Sequence, residues 1–392
     1  MTKRANLVRG ILLLLMAAFF GYRYALLDSS FYLSYISVLL IVGLLTLADV
    51  IAKRWQTLVF NIGIALVFLD LAFAQINLAE AAQALTSANY WMMIPATLFV
   101  LIHLYFRTLR SQWLLKPMGK VGFWPAYRAL VIGIAGNTVL PARAGEFLRA
   151  YVLGRSTGLS KTGAFATIVV ERIFDGLTVL LFLLVVIIFG VRDERFQLFG
   201  AIGAAVYLGI LAGLIVFMTR REWIDSLIKQ RLPEDLATIV LELLDGFGSG
   251  LAILKNPGQL GMVTFWNMLT WLTVPVSFWF VLRAFDFGDP VPWQAPVLML
   301  PALGIVLSVP GPPGGVGLFH SAAAFTLELT YANLNQVPDF LEVAAAASIL
   351  LHISQFGPEL IIGAISFVYE GLSTDDLKAG QKIQVEPERI AG

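Results

Sequence analysis

Three charged residues lie close together in an apolar part of the sequence, at Glu171, Arg172 and Asp175. On a helix, Arg172 and Asp175 are three residues apart and Glu171 and Asp175 are four apart, so these charges share one face. A charged side chain in the middle of a bilayer costs about 3 kcal/mol on insertion scales, and such residues are usually functional. The triplet therefore predicts half of a buried polar cavity. The alternative is a structural ion pair that fixes this helix to its neighbour.

A second group of charged residues precedes this triplet, at Arg143, Glu146 and Arg149, and begins six residues after Asn137. Guanidinium groups bind phosphate through paired N–H donors, and carboxylates nearby hold such arginines in position. Arg143, Arg149 and Arg172 are thus the candidates for neutralising an anionic lipid headgroup. Arg143 and Arg149 also fit a surface helix with cytoplasmic positive charges.

A glycine- and proline-rich segment at residues 310–317 repeats a pattern found at residues 139–145. In the first segment Pro141-x-x-x-Gly145 follows Val-Leu, and in the second Pro310-x-x-x-Gly314 follows Ser-Val. A helix that begins after such a break leaves backbone N–H groups free to hold an anion. A long apolar segment with buried polar side chains follows each break. The candidate residues of this second half are Gly311, Gly314, Gly315, Gly317, His320, His352, Gln355 and Glu359.

The elements that must position these residues are membrane helices, because 58% of the chain is hydrophobic and only 14% is charged. The sequence predicts an all-α, polytopic integral membrane protein with about eight transmembrane helices and two opposed re-entrant or broken helical elements, a possible inverted repeat. The predicted spans are residues 11–27, 31–52, 57–76, 90–109, 164–191, 196–218, 260–282 and 341–369, and the shorter apolar segments are 126–140, 292–309 and 316–329.

The distribution of lysine and arginine predicts the orientation of these elements. Lys3, Arg4 and Arg9 place the amino terminus in the cytoplasm, whereas residues 286–342 contain no lysine or arginine and are predicted to dip in from outside. The basic residues on both sides of segment 126–140 require it to enter and leave on the cytoplasmic side. Both termini are then cytoplasmic, in a bacterial-type inner membrane.

The chain divides into two N-terminal helices (residues 1–52), a transmembrane core (55–370) with an amphipathic cytoplasmic helix (233–255), and a polar tail (371–392). There is no cysteine, and the three histidines lack ligand spacing, so the sequence predicts neither a metal site nor a cofactor. The clustered positive charges serve orientation and do not indicate nucleic-acid binding.

The run N-x-x-L-P-x-R-x-G-E-x-x-R-A-Y at residues 137–151, followed by E-R-x-x-D at residues 171–175, resembles the lysylphosphatidylglycerol synthase transmembrane (flippase-like) family. The resemblance covers roughly residues 55–369. It implies a helical membrane protein that moves or presents lipids across the inner membrane. Members that synthesise lysyl-phosphatidylglycerol carry a soluble aminoacyltransferase domain, and nothing in this chain corresponds to that domain.

The sequence therefore favours a lipid translocase without catalytic residues, whose partners are membrane lipids with an anionic or zwitterionic headgroup. No nucleotide-binding motif is present, so transport would be downhill or ion-coupled. Two alternatives remain open: a membrane-embedded transferase acting on a lipid-linked sugar, and a non-catalytic partner that delivers lipid to a separately encoded glycosyltransferase.

Overall fold

Helices are the regular secondary structure of this protein, and within the described residues there is no strand. The computed structural model describes residues 2–27, 31–73, 76–140, 144–188, 219–250, 256–287, 291–307, 312–331 and 339–373, with Asp376 and scattered positions between 198 and 217. The helices are α1 (Thr2–Leu27), α2 (Phe31–Leu47), α3 (Lys53–Phe73), α4 (Leu78–Ser87), α5 (Met93–Leu115), α6 (Phe123–Val139), α7 (Gly145–Thr157), α8 (Lys161–Ile188), α9 (Arg221–Arg231), α10 (Glu234–Gly250), α11 (Pro257–Leu282), α12 (Gln294–Val306), α13 (Leu318–Thr330) and α14 (Phe340–Tyr369).

Four of these helices are long and apolar enough to cross a membrane by length and composition. They belong to α1, to α5 with the 3₁₀ turn before it, to α11 and to α14. Helix α8 is 28 residues long, but Glu171, Arg172 and Asp175 give it more charges than the composition of an ordinary membrane span allows. The all-helical polytopic fold is confirmed, and the predicted count of eight spans remains a prediction. About half of the predicted span 196–218 lies outside the described residues.

Two four-helix units of the same design form the centre of the protein. Each has a long helix, two short helices separated from each other by a break, and a second long helix: α5–α8 in the first unit and α11–α14 in the second. The contacts repeat as well, since α6 packs on α14 while α8 packs on α12, and α5 packs on α14 while α8 packs on α11. The two units are therefore structural repeats.

Helices α5 and α11 pair along their lengths in opposite directions, which relates the repeats as an inverted pair. At one end the amide of Asn89 donates to the carbonyl of Ala284 over 2.8 Å, and the Ser277 hydroxyl donates to the Ala96 carbonyl over 2.9 Å. Farther along, Arg110 on α5 donates to the side chain of Asn267 on α11. The predicted inverted repeat agrees with this antiparallel pairing.

The break in the first unit brings α6 and α7 into direct backbone contact. A side chain at Gly145 would overlap the backbone of Gly133 and Asn137, and one at Gly136 would lie 2.9 Å from Gly145 Cα. Glycine at these positions lets two short helices approach closely, as membrane helix pairs commonly do. This packing fixes the direction in which α7 leaves the break.

The N-terminal helices α1 and α2 are joined to α3 by a polar contact inside an apolar cluster. Arg23 Nε lies 2.7 Å from Asp70 Oδ2, and the Tyr32 hydroxyl donates to Asp70 Oδ1 over 2.5 Å. Helix α3 then supports the second unit, because a Cβ on Gly317 would lie 2.6 Å from Phe68 Cβ. The N-terminal pair is thereby linked through α3 to the second break.

Some local structure differs from the sequence prediction. Residues 77–89, which connect two predicted spans, contain α4, and Asn77 caps this helix by accepting a hydrogen bond from the amide of Ala79. The cytoplasmic segment predicted as one amphipathic helix is preceded by a second, α9. In the polar tail, Asp376 contacts α7, because it accepts a hydrogen bond from the Tyr151 hydroxyl over 2.7 Å.

Candidate functional site

The centre of the charged site is a two-pronged ion pair between α7 and α8. Arg149 donates through both terminal nitrogens to the two carboxylate oxygens of Glu171, each over 2.7 Å, and also donates to the Ser111 hydroxyl on α5 over 2.7 Å. Arg149 is 3% exposed and Glu171 is fully buried. A buried ion pair is tolerated only when its hydrogen-bonding capacity is used, and this geometry uses most of it.

A second buried arginine, Arg110 on α5, extends the pair into a network. Its guanidinium lies 2.5 Å from Asp175 Oδ1 and 3.3 Å from Glu171 Oε2, and it also donates to Asn267 on α11. The indole N–H of Trp271 donates to the same oxygen of Asp175 over 2.8 Å. Helices α5, α8 and α11 thus meet at the carboxylates of Glu171 and Asp175. Helix α11 supplies no charge, but its Asn267 and Trp271 orient Arg110 and Asp175.

Arg172 forms the more accessible edge of the network. Its Nε lies 3.0 Å from Glu146 Oε1 on α7, and its Nη1 lies 3.2 Å from Asp175 Oδ2 one turn along α8. About a third of its side chain is exposed, compared with 4% or less for Arg110 and Arg149. Of these three paired arginines, Arg172 is therefore the one placed to meet a ligand.

The second break lies against the first. Gly314 adopts a left-handed φ of 66°, and a Cβ at this position would lie 3.6 Å from Thr138 at the end of α6. His352 Nε2 on α14 lies 2.7 Å from the carbonyl oxygen of Gly314, so the ring donates to the turn. His320 Nδ1 accepts from the amide of Gly317 over 3.1 Å and caps α13. The turn of the second break thus contacts the end of α6 and His352 of α14.

The remaining predicted site residues are spread around this contact. Gln355 donates to the Ser277 hydroxyl over 3.0 Å, and Gly315 adopts a φ of 66° within the turn. Asn137 is in the last turn of α6, where its Oδ1 is buried without a hydrogen-bond partner among the described residues. Glu359 is half-buried on α14. Arg143 and Gly311 lie outside the described residues.

The structure adds site residues that the sequence prediction omitted, namely Arg110, Ser111, Asn267 and Trp271. Arg110 is one of the basic residues before segment 126–140 and served only to predict orientation, although it follows a long apolar run on α5. Asn267 and Trp271 are four residues apart on α11, which is a polar stripe on an otherwise apolar helix. That stripe is a usable signal, but its partner on α5 cannot be identified without the pairing of the helices.

Three carboxylates away from the charged network lie close enough together to coordinate a cation. Oxygen atoms of Glu80, Asp339 and Glu342 lie within 4.8 Å of one another beside a surface cavity of about 440 Å³. Exposed acidic clusters of this kind are common without an ion, and a backbone amide already donates to Glu342 over 3.2 Å.

The fold and the buried network define a helical membrane protein with a charged centre between inverted repeats. The sequence model of the lysylphosphatidylglycerol synthase transmembrane region matches residues 58–363, and the chain belongs to this family. The match begins after α2, so α1 and α2 precede the matched region.

Curated relatives carry two kinds of name. A Haloferax volcanii protein named glycosyltransferase AglD is 26% identical over 79% of this chain, and the chain spans only 53% of that protein's length. UPF0104 membrane proteins of Methanocaldococcus jannaschii and Methanothermobacter thermautotrophicus are 22% and 25% identical over 78% and 76% of this chain, and 92% and 90% of their own lengths. No solved structure matches the chain.

Proposed function

We propose that this protein moves or presents a lipid with a polar headgroup, which enters between the two broken elements while its acyl chains stay in the bilayer. The observation that carries this proposal is the buried network of Arg110, Arg149, Glu171 and Asp175 at the meeting point of the repeats. Charges within membrane helices are costly and usually mark a substrate or ion pathway. Membership of the family agrees with a role in lipid handling.

Within this network the residues have different tasks. Arg149, Glu171 and Arg110 hold α5, α7 and α8 together, since their terminal groups are used by one another. Arg172 joins the broken element, through Glu146, to α8. A headgroup phosphate that binds Arg172 competes with Glu146 and so loosens α7 from α8. Such competition is how binding would be coupled to movement of the break.

The proposed orientation in the inner membrane follows from the positive charges in the loops, which place both termini on the cytoplasmic side. Transport is downhill or ion-coupled, because the sequence contains no nucleotide-binding motif. Reconstitution in liposomes with fluorescent lipids tests the proposal: purified protein should accelerate exchange between leaflets, with or without a pH gradient. Replacement of Arg172 by alanine should reduce this rate, and an unchanged rate would remove Arg172 from the site.

The name of the Haloferax volcanii relative favours a second candidate, in which the chain presents a lipid-linked substrate to a glycosyltransferase or acts on one itself. The chain covers about half of that relative's length. Two measurements separate these possibilities. Co-purification of a glycosyltransferase supports presentation, and a donor-dependent product detected by mass spectrometry supports an enzyme.

A further inference from the structure

One arginine near the charged network has no counter-ion. Arg110, Arg149 and Arg172 are matched by Glu146, Glu171 and Asp175 through contacts of 3.3 Å or less. Arg107, one turn before Arg110 on α5, makes no ion pair with any described residue, and its buried Nε has no hydrogen-bond partner there.

Arg107 is half-buried, and its electrostatic neighbours are Arg172 and Arg110 as well as Asp175 and Glu171. Both of these carboxylates are already used by the other arginines. A buried guanidinium N–H without a hydrogen-bond partner destabilises the folded protein, and Nε of Arg107 is such a group. Such an arrangement persists where a ligand supplies the missing charge, and phosphate is the anion that a guanidinium fork matches best.

A carboxylate on a helix that packs against α5 is the nearest candidate partner of Arg107. Helix α14 contacts α5 and carries Glu359, an electrostatic neighbour of Arg107, but no ion pair within 4.0 Å joins the two side chains. Glu359 makes no ion pair or hydrogen bond with a described residue. The two opposite charges are therefore on neighbouring helices, and neither is neutralised by an ion pair with a described residue.

A third unpartnered group lies beside Glu359. The buried Oδ1 of Asn137 can only accept a hydrogen bond, and it has no donor among the described residues. Helices α6 and α14 run side by side here, because a Cβ on Gly363 would lie 2.6 Å from the Val131 carbonyl, while His352 reaches the turn that contacts Thr138. Glu359 lies between these two contact points, at the level of the last turns of α6.

We propose that Arg107, Glu359 and Asn137 form the headgroup site, and that its ligand is a phosphate ester that also carries an O–H or N–H donor. Arg107 binds the phosphate oxygens, and Glu359 and Asn137 accept hydrogen bonds from the hydroxyl or amine. This inference rests on the proposed function. It adds these three groups to Arg172, the electrostatic neighbour of Arg107, as the residues that recognise the lipid, and it leaves Arg110 and Arg149 as the structural support behind them.

The proposed site predicts different affinities for phospholipids that have the same acyl chains but different headgroups. Phosphatidylglycerol offers hydroxyl donors and phosphatidylethanolamine offers amine donors, so both satisfy all three residues. Phosphatidylcholine has a phosphate and a positive charge but no donor. Phosphatidic acid has only its phosphate. Comparison of phosphatidylglycerol with phosphatidylethanolamine shows whether the natural donor is a hydroxyl or an amine.

The experiment titrates the purified full chain in detergent with dioctanoyl forms of these four lipids and measures binding by calorimetry. Arg107→Gln should weaken binding of every lipid, by roughly tenfold to a hundredfold if one charge-assisted hydrogen-bonded pair is lost. Arg107→Lys should restore part of the affinity. Glu359→Gln should weaken binding of the two donor lipids and leave phosphatidylcholine unchanged. Exposed Arg283→Gln and Glu328→Gln are matched controls that should bind as the wild type does.

Each result decides between the claims. If the wild type binds the donor lipids and Arg107→Gln binds them equally well, the headgroup site is overturned while the proposed function stands. If the wild type distinguishes none of the four headgroups, the site is overturned, and failure to exchange lipid in liposomes would then overturn the proposed function too. Thermal melting of each variant shows that it is folded, and Arg107→Gln should melt no lower than the wild type because it removes an unpaired charge.

Discussion

Two arginines one turn apart on α5 should respond in opposite ways to the same substitution. Arg110 is fully buried, with Asp175 at 2.5 Å, Glu171 at 3.3 Å and a hydrogen bond to Asn267. Arg107 has no such partner. Glutamine in place of Arg110 leaves two buried carboxylates short of a counter-ion, whereas glutamine in place of Arg107 breaks no ion pair with a described residue.

The size of the difference follows from the burial of the pair. Loss of one partner of a buried ion pair costs about 3–5 kcal/mol, because the charge left behind is desolvated and unpaired. At about 2 °C per kcal/mol for a large domain, Arg110→Gln should lower the melting temperature by about 6–10 °C. Arg107→Gln should leave the melting temperature unchanged or raise it by a few degrees.

Intrinsic tryptophan fluorescence during heating in detergent measures both shifts, since the chain has nine tryptophans and no cysteine for a thiol-reactive dye. The double variant Arg110→Gln, Asp175→Asn provides the cycle that isolates the pair, and it should recover part of the loss. The reasoning is refuted if Arg110→Gln melts within about 2 °C of the wild type, or if both single variants lose stability equally.

Two further predictions concern backbone packing and the tail. Gly145→Ala should destabilise the protein by several kcal/mol, because the added methyl group overlaps the backbone of α6. Gly261→Ala has open space around it and should leave stability unchanged or raise it by about 0.5–1 kcal/mol. Melting curves of the two variants test this difference. Asp376 accepts hydrogen bonds from Tyr151 and from the amide and hydroxyl of Ser373, and this bonding lowers its pKa to about 2. The contact is therefore present above about pH 4 and is lost as the pH falls through about 2. Asp376→Ala should speed limited proteolysis next to Ser373 at neutral pH, whereas cleavage of the wild type there should not change between pH 5 and 8.

The sequence predicted the main features of the fold because lipid imposes a strong pattern on helices. Apolar runs identified the described long helices, and the two Pro-x-x-x-Gly breaks indicated the positions where α6 ends and α13 begins. Helices α4 and α9 were missed, since short interfacial helices have no run long enough to stand out. Arg110 shows the same limit for the site, because its place on α5 is visible in the sequence but its partners Glu171 and Asp175 are 61 and 65 residues away.

The ion pairs of the network also depend on tertiary geometry. The pattern placed Glu171, Arg172 and Asp175 on one helix face and suggested that arginines nearby bind a headgroup. It could not distinguish Arg149, whose terminal nitrogens are used by Glu171 and Ser111, from Arg172, which is more exposed. Only the packing of α5 between α8 and α11 separates structural arginines from available ones.

The most direct test of the account is lipid exchange between leaflets, measured with purified protein in liposomes that contain a fluorescent phosphatidylglycerol. The account predicts that the wild type accelerates exchange over protein-free liposomes, that Arg283→Gln exchanges lipid at the wild-type rate, and that Arg107→Gln is slower by tenfold or more although it is folded. Wild-type protein that leaves the rate of protein-free liposomes unchanged, with and without a pH gradient, would contradict the central claim.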